Sequence, residues 1–313
     1  MKAFLLFPDR DFDPGGELPA NEPVLTQDLG LGTLFATMGG GDTFLTEVAR
    51  RGVLSSLTAP DAITYRQRIL HDCLQQTDVV RAIYDLAAEA VDEEKQIWRA
   101  TFSRYPAAIL RQELEVLELF VGVLKRLRRI ADEHAGAFRS EGFVALFGML
   151  TRELDDDYFQ VVEEHLRRLR FDKGVLISAE LGKGNKGTSY LLRKPHASGS
   201  WLRRLTVRDR SAYTWRLPDR DEAGAQALGE LRGRGLNLAA NALAQSTDHI
   251  LSFVTMLRSE LGFYIGCLNL HERLSEQGEP VCLPVPLAVG QRVLSCRGLY
   301  DVGLSLRSQT RVV

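Results

Sequence analysis

A chain of 313 residues with 45% hydrophobic and 26% charged content is an ordinary folded protein by composition, which excludes a disordered or collagen-like polymer. Its formal net charge of −2 hides a segregation: from Arg167 to Arg220 fourteen Lys or Arg meet four acids (Asp172, Glu180, Asp209, Asp219), a local +10 that leaves −12 for the rest. The four cysteines, Cys73, Cys267, Cys282 and Cys296, are too few and too scattered for a disulfide framework or a zinc chelate, so a reducing, cytoplasmic setting is expected.

The first forty residues are rich in Pro, Gly and Asp and end in Gly39, Gly40 and Gly41, which predicts an irregular lead-in over residues 1–41. The apolar run at Met1 to Phe7 breaks at Pro8 and Asp9, too short for a leader, and no later run approaches eighteen uninterrupted apolar residues; no membrane span or membrane partner is expected. Asp42 has the position of an N-cap for a helix carrying Leu45, Val48 and Ala49, and Pro60, Thr77 and Pro106 mark three further starts. Leu110, Leu114, Leu117, Val121, Leu124 and Leu127 form one stripe, with acids early and bases late on the other faces, as the helix dipole favours. A last long helix is predicted from Ser140 to about Arg170. Residues 42–170 thus read as a helical core with an outgoing lever.

The period changes at Gly174. Val175 to Ile177 and Tyr190 to Leu192 are short β-prone runs joined by a Gly- and Lys-rich link, and a second pair is predicted near Leu205 to Val207 and Tyr213 to Leu217. Residues 171–219 read as a basic, β-rich, clamp-like insertion. Beyond Asp221, Leu236, Ala240, Leu243, Thr247, Ile250, Val254, Leu257, Leu261, Tyr264 and Leu268 recur by alternating fours and threes, the seam of a long returning helix over 220–279. From Pro280 to Pro286 a proline-rich link leads to short apolar runs at Val293 to Cys296 and Val302 to Leu306, so residues 280–313 read as a linker and the start of a following domain, and the apolar stop at Val312 and Val313 reads as a cut in a longer protein. The expected fold class is mainly α: a helical core, long antiparallel lever helices and a small β-rich basic insertion.

Gly182-x-Gly184-x-x-Gly187 matches a dinucleotide fingerprint, but its last glycine should open a helix, and Thr188 to Leu192 reads as a strand. As a phosphate loop it fails at Thr188, where the lysine is required. Asp155, Asp156 and Asp157 point about 100° apart on a helix and cannot converge on one metal. The six histidines have no ligand spacing, and no G-x-S-x-G elbow is present. The chain is therefore expected to hold no catalytic site, cofactor or metal.

The basic insertion carries the strongest signal. Lys183, Lys186, Arg193, Lys194, Arg203, Arg204, Arg208 and Arg210 are the candidate DNA-binding residues, interleaved with or close to Trp201, Tyr213 and Trp215. Long cations beside turns can reach a phosphate backbone and position a protein on it without reading sequence. The alternative is a protein-interaction scaffold whose cationic segment docks an acidic partner.

The return helix LRSELGFYIGCLNL (257–270) and the stretch FLTEVARRGVLSSLTAPDAITYRQRILHDC (44–73) resemble the core and lever region of the MutS family of DNA mismatch-repair ATPases, and the ending CRGLYD (296–301) resembles the approach to that family's ATPase domain. Two departures stand out: none of the fourteen Phe residues has Glu two places on, so the mismatch-reading wedge is missing, and no phosphate-binding loop occurs. The resemblance implies a lever and clamp module of a MutS relative lacking the mismatch-reading domains. It further implies contact with duplex or branched DNA, ATP and Mg in the parent, a DNA-dependent ATPase domain through which the parent forms a homodimer, and a cytoplasmic, nucleoid-associated location.

Overall fold

A computed structural model of the chain describes residues 1–55, 57–100, 106–170, 177–181, 187–192, 222–288, 290–291 and 293–308. The helices are α1 (Glu22–Asp28), α2 (Leu31–Gly39), α3 (Thr43–Leu54), α4 (Pro60–Gln75), α5 (Thr77–Arg99), α6 (Pro106–His134), α7 (Glu141–Glu153), α8 (Asp156–Leu169), α9 (Glu222–Glu276) and α10 (Val302–Ser308). Strands β1 (Ile177–Leu181) and β2 (Gly187–Leu192) pair antiparallel. The chain divides into two discontinuous compact units: residues 1–96, 119–159 and 249–313 form one, and residues 97–118 and 160–248 the other.

Helix starts in the first unit follow local chemistry. Asp42 caps α3 by accepting the N–H of Phe44 at 2.7 Å and of Leu45 at 3.3 Å. Pro60 opens α4 where a missing N–H costs nothing. The entry to α7 is capped from outside, because buried Asp72 on α4 accepts the N–H of Arg139 at 2.9 Å and of Ser140 at 2.7 Å. Phe138 packs against Phe143 and Phe147 beside that entry, at centroid distances of 4.5 and 5.0 Å. Arg81 pairs with Glu272 at 2.8 Å and Arg258 with Asp92 at 3.4 Å; positions rise on α5 as they fall on α9, so the two helices run antiparallel.

Val254, Leu257, Leu261 and Tyr264 are each fully buried, forming the centre of that core. Burying each such side chain contributes about 1.5–3 kcal/mol. By length and mean hydropathy (1.2) Leu236–Glu276 could cross a membrane, but 61% of its apolar window is buried inside the protein, and the seam accounts for the hydropathy.

Three expectations are corrected. The lead-in is not irregular: α1 and α2 lie within it, with Pro23 in the first turn of α1 and Gly30, at φ +60°, allowing the turn between them. The helix expected from Ser140 to Arg170 is two helices. The chain breaks at Leu154 and Asp155, where the Asp155 carboxylate accepts the N–H of Tyr158 at 2.7 Å and starts α8, so the outgoing lever is not one rod. The β-rich, clamp-like insertion is also overturned. Among the described residues the chain is overwhelmingly helical, and its strands amount to one short hairpin with a register shift between Ser178 and Glu180. Two strands cannot enclose a core of their own, so the hairpin is an appendage of a helical unit and not a β domain. The second predicted strand pair, near 205–217, lies outside the described residues.

Candidate nucleic-acid interface

The unit formed by residues 97–118 and 160–248 holds the basic segment, and its helical stem comes from two distant parts of the sequence. Leu110, Leu114, Leu117, Leu166, Leu236, Ala240 and Leu243 are buried there. Thr247 donates its hydroxyl to Glu113 at 2.8 Å, and Gln112 donates to the carbonyl of Ile97 at 3.2 Å. The stem is thus apolar with a satisfied polar layer, so its burial fixes the register of α6 against α9.

At the end of α8 the charge turns positive. Asp156 and Asp157 occupy the first turn and Arg167 and Arg168 the last, the order the helix dipole stabilises. Arg170 sends two N–H groups to one oxygen of Glu118, at 2.6 and 3.1 Å, and Arg168 pairs with Glu164. Those two cations are held by acids of their own unit. Arg167 is 3.9 Å from Glu164 and 76% exposed, which leaves its guanidinium largely in solvent.

The hairpin follows, with Leu181 opposite Gly187 at the end of its ladder and Ile177 opposite Leu192 at the other. Gly187 therefore opens a strand and not a helix, so the glycine pattern ending there has no helix N-terminus to offer a pyrophosphate. All eight candidate DNA-binding residues lie outside the described residues: Lys183 and Lys186 in the link between the strands, and Arg193, Lys194, Arg203, Arg204, Arg208 and Arg210 in the stretch before α9. Among the described residues, no group of three or more His, Cys, Asp or Glu is placed to hold a metal.

The first unit contains a polar cluster that the sequence did not signal as a site. Tyr65 and Arg66 on α4 and Glu260 and Tyr264 on α9 all bond to the main chain of residues 4–12. A cleft of 670 Å³ lies beside it, lined by Phe7, Arg10, Asp61, Tyr65, Arg68 and Glu141 among others. Its charges are mixed, and Arg68 is tied to Glu141 at 3.0 Å, so it presents no surplus of one sign to a ligand.

The family model of the MutS2 N-terminal domain matches residues 58–277, from just before α4 to the end of α9. The chain belongs to the MutS2 N-terminal domain family. Within this family domain fall the whole basic segment, the hairpin and the seam of α9, which ties the chain in general terms to the MutS lineage of DNA-repair proteins. Neither a curated protein nor a solved structure matches the chain.

Proposed function

We propose that this chain is the DNA-binding helical part of a MutS2-type repair protein, in which the cationic segment 167–220 grips the phosphate backbone of duplex or branched DNA. The observation that carries the reading is a coincidence: the MutS2 family match spans the same residues in which a net +10 is concentrated on an otherwise acidic chain. Each lysine or arginine set against a phosphate releases condensed counterions, a gain in entropy that needs no base contact. Lys183, Lys186, Arg193, Lys194, Arg203, Arg204, Arg208 and Arg210 supply those contacts.

In this reading α6 and α9 act as levers that couple DNA contact to an ATPase domain of the parent, which binds ATP and Mg, pairs the parent into a homodimer and works at the nucleoid. Stiff helices suit that task because they transmit displacement without absorbing it. The chain alone turns over no nucleotide. Fluorescence anisotropy with labelled duplex and branched DNA across a salt series tests the reading. Steeply salt-dependent binding that is lost on charge reversal at Lys183, Lys186, Arg203 and Arg204 supports it. No binding in low salt, with the same substitutions disturbing a protein complex, would replace it with the scaffold reading.

A further inference from the structure

Three arginines gather at the end of α8, and the acids that meet them belong to the same unit. Arg170 turns the edge of its guanidinium, Nε–H and one Nη–H, onto a single carboxylate oxygen of Glu118 on α6, at 3.1 and 2.6 Å. Arg168 donates to one oxygen of Glu164, a turn back on α8, and Arg167 stands 3.9 Å from that same oxygen. Two carboxylates thus face three cations, and these five side chains keep a surplus of one positive charge.

The pairs lie at the surface. The side chains of Arg167, Arg168 and Arg170 are 76, 62 and 54% exposed, and those of Glu164 and Glu118 are 44 and 38% exposed. Ion pairs so placed are screened by water and salt, and breaking one costs little. A phosphate oxygen offers the guanidinium edge the same charged acceptor as a carboxylate oxygen, and phosphates recur along a backbone. The chain also brings these arginines close in sequence to the cations proposed above. β1 follows soon after Arg170, and Leu192, the residue before Arg193 and Lys194, pairs with Ile177 at the foot of the hairpin.

We propose that Glu118 and Glu164 are stand-ins for DNA phosphates, holding the guanidinium groups of Arg170, Arg168 and Arg167 in place until a nucleic-acid backbone displaces them. The proposal rests on the DNA-binding reading above. It adds three phosphate contacts at the end of α8 and two acids that weaken the grip. Each exchange trades a carboxylate for a phosphate, so the arginine is paired before and after. The phosphate sheds its condensed counterion, and the displaced carboxylate is left beside a like charge. A lone anion has to displace an acid already tethered beside its arginine, whereas a backbone meets several arginines in one binding event.

Fluorescence anisotropy of the full chain with a labelled duplex measures the exchange. Glu118→Gln should raise the affinity about two- to fivefold in low salt, because a neutral amide competes weakly for Arg170, and Glu164→Gln should do the same through Arg167 and Arg168. Removing any negative charge near DNA helps binding a little, so a cycle with Arg170→Gln decides. That substitution alone should weaken binding and make the salt slope shallower by about 0.9, and Glu118→Gln added to it should then gain much less. An unchanged or lower affinity for Glu118→Gln, or the same gain with Arg170 replaced, overturns the proposal and leaves the DNA-binding reading standing. A wild-type chain that binds no DNA in low salt sinks that reading, and this proposal with it.

Discussion

Thr247 on α9 donates its hydroxyl to Glu113 on α6 at 2.8 Å, with both side chains buried and the two positions 134 apart in sequence. It is the polar rung of an apolar seam, and it fixes which turn of one helix lies against which turn of the other. Thr247→Val keeps the shape and removes the donor. A loss of about 1–3 kcal/mol in urea unfolding is expected, because a buried carboxylate loses a partner. Pairing it with Glu113→Leu removes both polar ends, and a double-mutant cycle gives a coupling of about 0.5–3 kcal/mol. An unchanged unfolding midpoint for Thr247→Val would show that the contact holds nothing.

Gly52 tests the close packing of α3 on α9. A Cβ there would lie 2.3 Å from a ring carbon of Phe263, and the Gly52 carbonyl also receives Arg66. Gly52→Ala gains helix propensity, but the displaced ring outweighs it. A net loss of about 1–3 kcal/mol and a lowered melting temperature are expected.

The cysteines differ in reactivity for a physical reason. Cys282 and Cys296 are exposed, Cys73 is buried, which holds its thiol well above its ordinary value, and Cys267 is half-buried, its thiol pushed up to about 12 by desolvation. Labelling near pH 8 should modify two thiols quickly and leave two protected, slower on the order of a thousandfold, until denaturant is added. Rapid modification of all four in the native protein contradicts the packing of α4 on α9.

At high pH, Tyr65 extends the same argument. Its phenol is pushed up to about 12 by desolvation, with the negative charges of Glu260 and Glu141 adding to the effect. A raised value means that its contribution to stability is complete below about pH 10 and is lost as pH rises through about 12. Phenolate absorbance should show a late-titrating tyrosine that Tyr65→Phe removes.

Much of the helical pattern is readable in the sequence, since Asp42, Pro60, Thr77 and Pro106 do start helices and the ten seam residues from Leu236 to Leu268 are all buried. Apolar spacing reports burial directly, and proline and cap residues report a helix start. What spacing cannot report is a break inside an apolar pattern: Leu150, Leu154 and Phe159 stay buried across the turn at Asp155, so the pattern looks continuous there. Strand propensity overstates the insertion, because β-prone runs say nothing about whether enough strands assemble to enclose a core. The groove around residues 4–12 was hidden for another reason, since hydrogen bonds to main chain leave no mark on the segment they hold. Glu260 did carry a signal: it shares a helix face with Phe253, Leu257 and Tyr264, and an acid in an apolar stripe needs a partner.

The DNA-binding reading rests on cations whose number fixes a measurable slope. Plotting the logarithm of the DNA association constant against the logarithm of salt concentration for the wild-type chain should give a steep negative line, with a slope near −0.9 for each phosphate neutralised. The combined variant Lys183→Glu, Lys186→Glu, Arg203→Glu and Arg204→Glu should bind far more weakly and with a slope shallower by about four. A wild-type affinity indifferent to salt, or a variant that keeps the wild-type affinity and slope, would contradict the assignment of this segment to the DNA backbone.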